Sequence, residues 1–352
     1  MSPITPERSY VYDAMSAEPP LRVEVRPGSS FELLFGLSTL TRRDRSGQLP
    51  GWVPERLDAC SPELQEAVDR VGAGSAELWL HLLGLALEHP SDVVAGVRAL
   101  DGLELRRHLL GVYVPAWQTV VGPELLEAAA AGDPKAAVRL LEHDRYYACE
   151  ASDSLAQILP LSAARTKQHV LAVLDLFERE AFEPVADALV TELERDAAAK
   201  QRLAGSVTPE ELIASAASGY VYEREPELDA VVLIPQLASR PWLLLCQHAS
   251  TRIIGYPVAD HATLDERAVL LGRALGDETR VRMLRNLAAG EATLAELADL
   301  AGIAKSTAHH HLAHLRAAGL VTLHGNARAY WFVLRPEGLA DARRLLGELA
   351  AP

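Results

Sequence analysis

The hydrophobic and polar positions of this chain follow helical spacing over most of its length. From Pro54 to about Gly219, apolar residues recur every three or four positions, which is typical of helices that bury one face. Prolines stand at first-turn positions, where their missing backbone donor costs little: Pro62, Pro123, Pro134 and Pro209. The pattern therefore predicts a domain made mainly of helices.

A strand-like pattern appears at four places outside these helices. Residues 21–25 (LRVEV) alternate apolar and charged side chains, and three apolar or β-branched runs follow later, at 231–235, 242–246 and 251–258. We expect these runs to form a small antiparallel sheet, which residues 21–25 could join. Helical spacing returns at Leu264. We therefore predict a boundary near Asp260, between a helical domain with a small sheet (residues 1–259) and a second domain (residues 260–352).

The second domain shows helix and turn signals in a distinctive order. Asp277 and Thr293 can each cap a helix with a side-chain oxygen. Gly302 supplies a tight turn before a further helix that begins at Ser306. Residues 320–334 contain two apolar segments around a polar turn, which predicts a β-hairpin. Helices followed by a hairpin indicate a winged helix-turn-helix, so the expected fold class is mainly α.

Three segments of this second domain carry recognisable motifs. They are ALGDETRVRMLRNLA at 274–288, TLAELADLAGIAKSTAHHHLAHLRAAGLV at 293–321 and HGNARAYWFVL at 324–334. Together they resemble the ArsR/SmtB family of bacterial regulators, over about a quarter of the chain. The resemblance implies a homodimeric, sequence-specific DNA-binding transcription regulator, often a repressor released by an effector. It also implies that Leu264–Leu275 and residues 339–349 build the dimer. The first domain is similar, more loosely, to a helical domain of unassigned role in some actinobacterial regulators.

Charge is distributed unevenly between the two predicted domains. The whole chain has a formal net charge of −14, which by itself argues against a polyanionic partner. Residues 262–352 carry 11 Lys and Arg against 10 Asp and Glu, a charge of +1, whereas residues 1–261 carry 23 against 38, a charge of −15. Double-stranded DNA could therefore bind the second domain while the acidic bulk faces away.

Polar residues cluster at the start of the predicted recognition helix. The candidates for DNA contact there are Lys305, Ser306, Thr307, His309 and His310. Free backbone N–H groups in a first helical turn favour phosphate, and short polar side chains reach base edges in the major groove. Arg328, in the wing turn, could meet phosphate or enter the minor groove. The alternative interpretation is a solvated polar face and a solvated hairpin charge.

Other kinds of site receive less support. His310 and His314 lie one helical turn apart, but two histidines fill only half of a tetrahedral zinc shell, so neither a metal nor a cofactor is expected. The sequence contains no motif of a phosphate-binding loop, a nucleophile elbow or a zinc protease. We therefore do not expect the protein to be an enzyme, and we propose no catalytic residue. The aromatic residues of the first domain either line a pocket for an apolar effector or fill a core: Trp52, Trp79, Tyr113, Trp117, Tyr146, Tyr147 and Trp242.

Two functions follow as hypotheses. The first is an ArsR-type regulator, expected to act as a repressor, that binds a near-palindromic operator as a homodimer. The alternative is a protein-interaction or ligand-binding adaptor whose winged helix serves dimerisation only. The chain has no long apolar run and no secretory signal pattern at its start, and its three cysteines lie far apart. We therefore expect a cytoplasmic protein with reduced thiols and no membrane partner.

Overall fold

The computed structural model of the protein describes residues 21–41, 51–72, 76–143, 145–146, 152–258, 264–326 and 329–349. Four residues of interest lie outside these ranges: Tyr147, Asp260 and Arg328, which are named above, and Cys149, one of the three cysteines. Within the described ranges, no helix is both long enough and apolar enough to cross a membrane.

Most of the first part of the chain folds into helices, as its apolar spacing predicts. Their bounds are α1 (Ser29–Leu40), α2 (Trp52–Leu57), α3 (Pro62–Val71), α4 (Ala76–His81), α5 (Leu83–Glu88), α6 (Val93–Ala99), α7 (Gly102–Leu109), α8 (Pro115–Val121), α9 (Pro123–Ala130), α10 (Pro134–Leu141), α11 (Ser152–Ile158), α12 (Ala163–Phe177), α13 (Ala186–Ala204) and α14 (Pro209–Ala216). A π-helical turn and a 3-10 turn join α12 to α13 around Pro184. The helices pack around an apolar core that includes the fully buried Phe31, Trp79 and Phe177.

The predicted small sheet is present, but its strands are mixed in direction. It contains β1 (Arg22–Val25), β3 (Ala230–Gln236), β4 (Leu244–His248) and β5 (Thr251–Pro257), in the order β1-β3-β5-β4. Only β4 and β5 pair antiparallel, whereas β1–β3 and β3–β5 are parallel, so the expectation of an antiparallel sheet was wrong. The reason is that β5 inserts between β3 and β4. Every residue of β3 is buried, as expected for a central strand that is covered on both faces.

The second part contains helices and a hairpin in the order that the sequence predicts. They are α15 (Leu264–Leu275), α16 (Glu278–Leu287), α17 (Leu294–Ala301), α18 (Lys305–Ala317), the hairpin strands β6 (Val321–Gly325) and β7 (Tyr330–Leu334), and α19 (Pro336–Leu349). Apolar side chains from α16, α17, α18 and the hairpin meet in one core. The arrangement is that of a helix-turn-helix followed by a wing.

A short strand that the sequence analysis did not predict connects the two parts of the chain. This strand, β2 (Tyr220–Tyr222), pairs parallel with β6 of the wing, placing Tyr220 opposite Leu323. The second apolar core is also shared, because Ile213 and Tyr256 of the first part belong to the same buried cluster as Leu312 of α18. The wing and α18 are therefore packed directly against the first part of the chain.

Candidate nucleic-acid interface

Local hydrogen bonds fix the turn of the helix-turn-helix. Thr293 and Glu296 form a capping box at the start of α17, in which the Glu296 carboxylate accepts from Thr293 N over 2.8 Å. The helix ends at Gly302, whose φ of 69° is readily adopted only by glycine. The next helix, α18, starts after Ala304, which provides no side-chain cap. Its first backbone N–H groups are therefore left for solvent or a ligand.

The faces of α18 divide between a core and an exposed first turn. Ala308, Leu312 and Leu315 are buried in the core of the winged helix. The predicted contact residues Lys305, Ser306 and Thr307 are all exposed. The structure therefore places these three side chains together at the amino-terminal end of α18, as an interface to DNA would require.

His309 and His310 have a contact that the sequence did not indicate. Their rings lie against the indole of Trp242, with ring centroids 4.9 Å apart for His309 and 4.6 Å apart for His310. Trp242 stands just before β4, in the first part of the chain, and is only 3% exposed. From its place in the sequence, Trp242 is grouped with the aromatic residues of the first part. No local sequence signal links it to α18, because the contact depends on how the two parts pack.

The remaining histidines of α18 face the start of α16. Arg280 Nη1 lies 3.2 Å from His311 Nδ1, while its other nitrogens donate to Arg273 O and Ala274 O at the end of α15. Arg280 therefore caps the carboxyl end of α15, and its side chain does not point towards the candidate DNA interface. Burial lowers the pKa of both His311 and His314, with a further contribution from Arg280. Among the described residues, no three His, Cys, Asp or Glu side chains form a group that could hold a metal ion.

The wing is the second element of the candidate interface. Its strands pair antiparallel, with His324 opposite Trp331, and the two rings are 6.1 Å apart. On the other edge of β6, Tyr220 Oη donates to Gly325 O over 3.1 Å. Arg328, the predicted wing contact, belongs to the turn outside the described residues. Strand β6 is thus held at both edges just before the wing turn, by β7 on one side and by Tyr220 on the other.

Exposed aliphatic side chains also lie on α15 and α19, two helices that pack against each other. Val269 of α15 is 53% exposed and Leu346 of α19 is 56% exposed, and Leu339 and Leu349 are also exposed. Large aliphatic side chains at such exposure on adjacent helices are typical of an interaction surface.

The aromatic residues of the first part mostly fill its core. Trp79 is fully buried, and Trp117 packs edge-on against Tyr146 with ring centroids 5.4 Å apart. Trp52 differs, because it also lines an open cleft of about 1130 Å³ between the first part and α15.

Burial raises the pKa of the Cys246 thiol to about 12, so this cysteine is a protonated thiol at neutral pH.

Comparison with known proteins agrees with this geometry. Residues 275–324 match the family model of a helix-turn-helix domain. The HTH-type transcriptional regulator CmtR of Mycobacterium bovis, and its counterparts in two strains of Mycobacterium tuberculosis, are 40% identical over 79 residues. That alignment covers 22% of this chain, and the chain spans 64% of the length of these relatives. A solved structure described as a possible transcriptional regulator for arsenical resistance is 32% identical over 23% of this chain and 83% of its own, with a TM-score of 0.21.

The chain therefore carries a helix-turn-helix domain similar to those of named transcription regulators. The similarity covers α16, α17, α18 and the start of the wing, whereas the first part of the chain lies outside the family match.

Proposed function

We propose that this protein is a sequence-specific DNA-binding transcription regulator of the ArsR type, acting as a repressor. The observation that carries the proposal is the exposed first turn of α18, where Lys305, Ser306 and Thr307 stand together inside a matched helix-turn-helix. The uncapped N–H groups of this turn favour a phosphate oxygen, and the two hydroxyls are short enough to reach base edges. His309 and His310 extend the same surface by one turn, and Arg328 would add a contact from the wing.

We further propose that the protein binds as a homodimer. The exposed aliphatic residues of α15 and α19, Val269 and Leu346 above all, supply a surface that a second copy could cover. Two-fold symmetry would then place two α18 helices in successive major grooves, about 34–36 Å apart, on a near-palindromic operator. The first part of the chain would regulate this binding in response to an effector.

The experiment starts from a pool of random-sequence duplexes, from which the purified full chain selects those that it retains. The recovered duplex is then titrated at increasing KCl concentration. We expect a two-fold related motif, and an affinity that falls steeply with salt because several phosphates are contacted. Ser306→Ala should weaken binding to this duplex by about ten-fold, since one base contact is lost. Lys305→Ala should instead reduce the salt dependence.

Ser206→Ala serves as the matched control, because Ser206 is an exposed serine after α13, in the first part of the chain. It should bind the duplex as the wild type does. If the full chain and all its variants retain no sequence above the background of the pool, the regulator proposal is wrong. If the protein is still a dimer in solution but binds no DNA, the result would favour the adaptor, in which the winged helix serves dimerisation only.

A further inference from the structure

Beyond its exposed first turn, α18 is contacted by a loop from the first part of the chain, on the side that would face DNA. The loop, Ser239 to Trp242, follows β3 and is held by Gln236, a fully buried side chain. Gln236 Oε1 accepts from Ser239 N over 2.7 Å, and Gln236 Nε2 donates to Trp242 O over 3.0 Å. Thr39 of α1 adds a hydrogen bond to the Ser239 hydroxyl over 2.9 Å. The position of Trp242 is therefore set by the sheet and by α1.

The covered side of α18 is the side opposite its own core. Ala308, Leu312 and Leu315 face the core, and on a helix His310 and Ala313 project away from them. Yet Ala313 is only 6% exposed, and the His310 ring is in contact with Trp242. In a helix-turn-helix the outward side of the second helix enters the major groove. Trp242 therefore occupies space that base pairs would need.

Arg316 strengthens the same contact one turn further along α18. Its guanidinium donates to Ser218 O over 3.0 Å and to Pro241 O over 2.7 Å, and the residue is 7% exposed. Within the described residues no carboxylate forms an ion pair with it. Burial lowers the pKa of Arg316 to about 10. A buried charge whose partners are two neutral carbonyls is weakly compensated, so this contact is one that a phosphate could replace.

The wing is engaged by the first part at the same time. Glu223 N donates to Gly325 O over 2.9 Å, immediately after β2 has paired with β6. The Glu223 side chain is exposed there, so a carboxylate stands beside the strand that leads into the wing turn. A negative charge at this point opposes the approach of a phosphate backbone. Both DNA-facing elements of the winged helix are thus in contact with the first part.

We infer that the loop carrying Trp242 and DNA compete for the same face of α18, so that the first part of the chain inhibits DNA binding in cis. This inference rests on the proposed function, because it concerns the same surface. The conformation described above is then the covered state, and DNA binds only the fraction of molecules in which the loop has withdrawn. Such a competing equilibrium raises the apparent Kd in inverse proportion to the fraction of uncovered molecules. An effector or partner that holds the loop away would increase affinity.

The first test compares full-length wild type with Trp242→Ala and Trp242→Phe on the duplex recovered from the random pool, by fluorescence anisotropy. Trp242→Ala should bind at least about ten-fold more tightly, whereas Trp242→Phe, which keeps an aromatic ring against the histidines, should stay close to the wild type. His310→Ala should cost more affinity in the Trp242→Ala background than in the wild type. Only in that background is His310 free of the competing contact with Trp242, so that its contribution to DNA binding is measured by itself.

The outcomes separate the two proposals. If folded Trp242→Ala and wild type bind the duplex equally, the competition is refuted while the regulator proposal stands. If neither protein selects any duplex from the pool, the regulator proposal fails, and the competition fails with it.

A second test uses the wild type alone, so it does not depend on a variant that must fold. Hydroxyl-radical footprinting with mass spectrometry measures oxidation of Trp242 with and without the recovered duplex. Oxidation should increase when DNA binds, because the indole leaves α18. Trp79, which is fully buried in the helical core, is the internal control and should stay unreactive in both states. Unchanged or reduced oxidation of Trp242 on DNA binding would overturn the inference.

Discussion

Acidification should destabilise the helical core through His81, the last residue of α4. His81 Nδ1 lies 3.0 Å from Leu109 O, and Trp117 Nε1 donates to His81 Nε2 over 3.3 Å. A neutral ring with its proton on Nδ1 satisfies both contacts, but a second proton on Nε2 would point at the indole N–H. Burial, with smaller contributions from the nearby His108 and His248, lowers the pKa of His81 to about 4.

The sign and size of the effect follow from this shift. An unfolded histidine titrates at 6.5, so the folded state binds fewer protons than the unfolded state between pH 6.5 and about 4. The stability contributed by neutral His81 is therefore complete above pH 6.5 and is lost as the pH falls towards 4. Lowering the pH from about 7.5 to about 5 should therefore reduce the free energy of unfolding by about 2 kcal/mol through this single group.

Urea unfolding at these two pH values measures the effect. His81→Asn removes the titrating ring and keeps an amide N–H near the position of Nδ1, so its packing loss should be independent of pH. The wild type should lose about 2 kcal/mol more than His81→Asn on acidification. His89→Asn, at an exposed histidine, is the matched control and should keep the wild-type pH dependence. Equal losses in His81→Asn and wild type would refute this account of His81.

Three further predictions concern the dimer surface, the buried ion pair and the helix-turn-helix. Leu346→Glu should shift the chain to monomers in multi-angle light scattering, whereas Leu300→Glu, at a comparably exposed leucine on α17, should not. Arg252→Met should cost about 3–5 kcal/mol in urea unfolding, because it leaves the Glu225 carboxylate buried without its 2.6 Å partner; adding Glu225→Leu should recover part of this loss. Thr293→Ala should lower stability by about 1 kcal/mol in the same assay through loss of the capping box.

The winged helix could be predicted closely because its boundaries depend on neighbouring residues. Asp277 and Thr293 cap the helices for which they were proposed, and Gly302 ends α17 in the left-handed conformation that its turn requires. α15 spans Leu264–Leu275, as its apolar spacing indicated. Caps and helical spacing are read within a few residues, so tertiary packing did not have to be known.

The sheet could not be predicted in the same way, because strand direction is decided by distant partners. The apolar runs became strands, but β1 pairs with β3 across the whole helical part, from Arg22 to Ala230. β2 has only three residues and depends on pairing with the wing. Neither its length nor its composition predicts a strand on its own. Trp242, expected to begin a strand, instead lies in the loop before β4, where it covers α18.

The contact with Trp242 gives a physical reason for the presence of histidines on α18. An imidazole ring can pack against an indole, tilted as in His309 or edge-on as in His310, and its N–H groups can also bond to a base edge. Both histidines therefore suit the covered and the DNA-bound state. Arg316 follows the same logic, because its guanidinium donates to two neutral carbonyls, which a phosphate could replace once the loop has withdrawn. Residues that serve two competing surfaces allow the balance between them to shift without refolding the recognition helix.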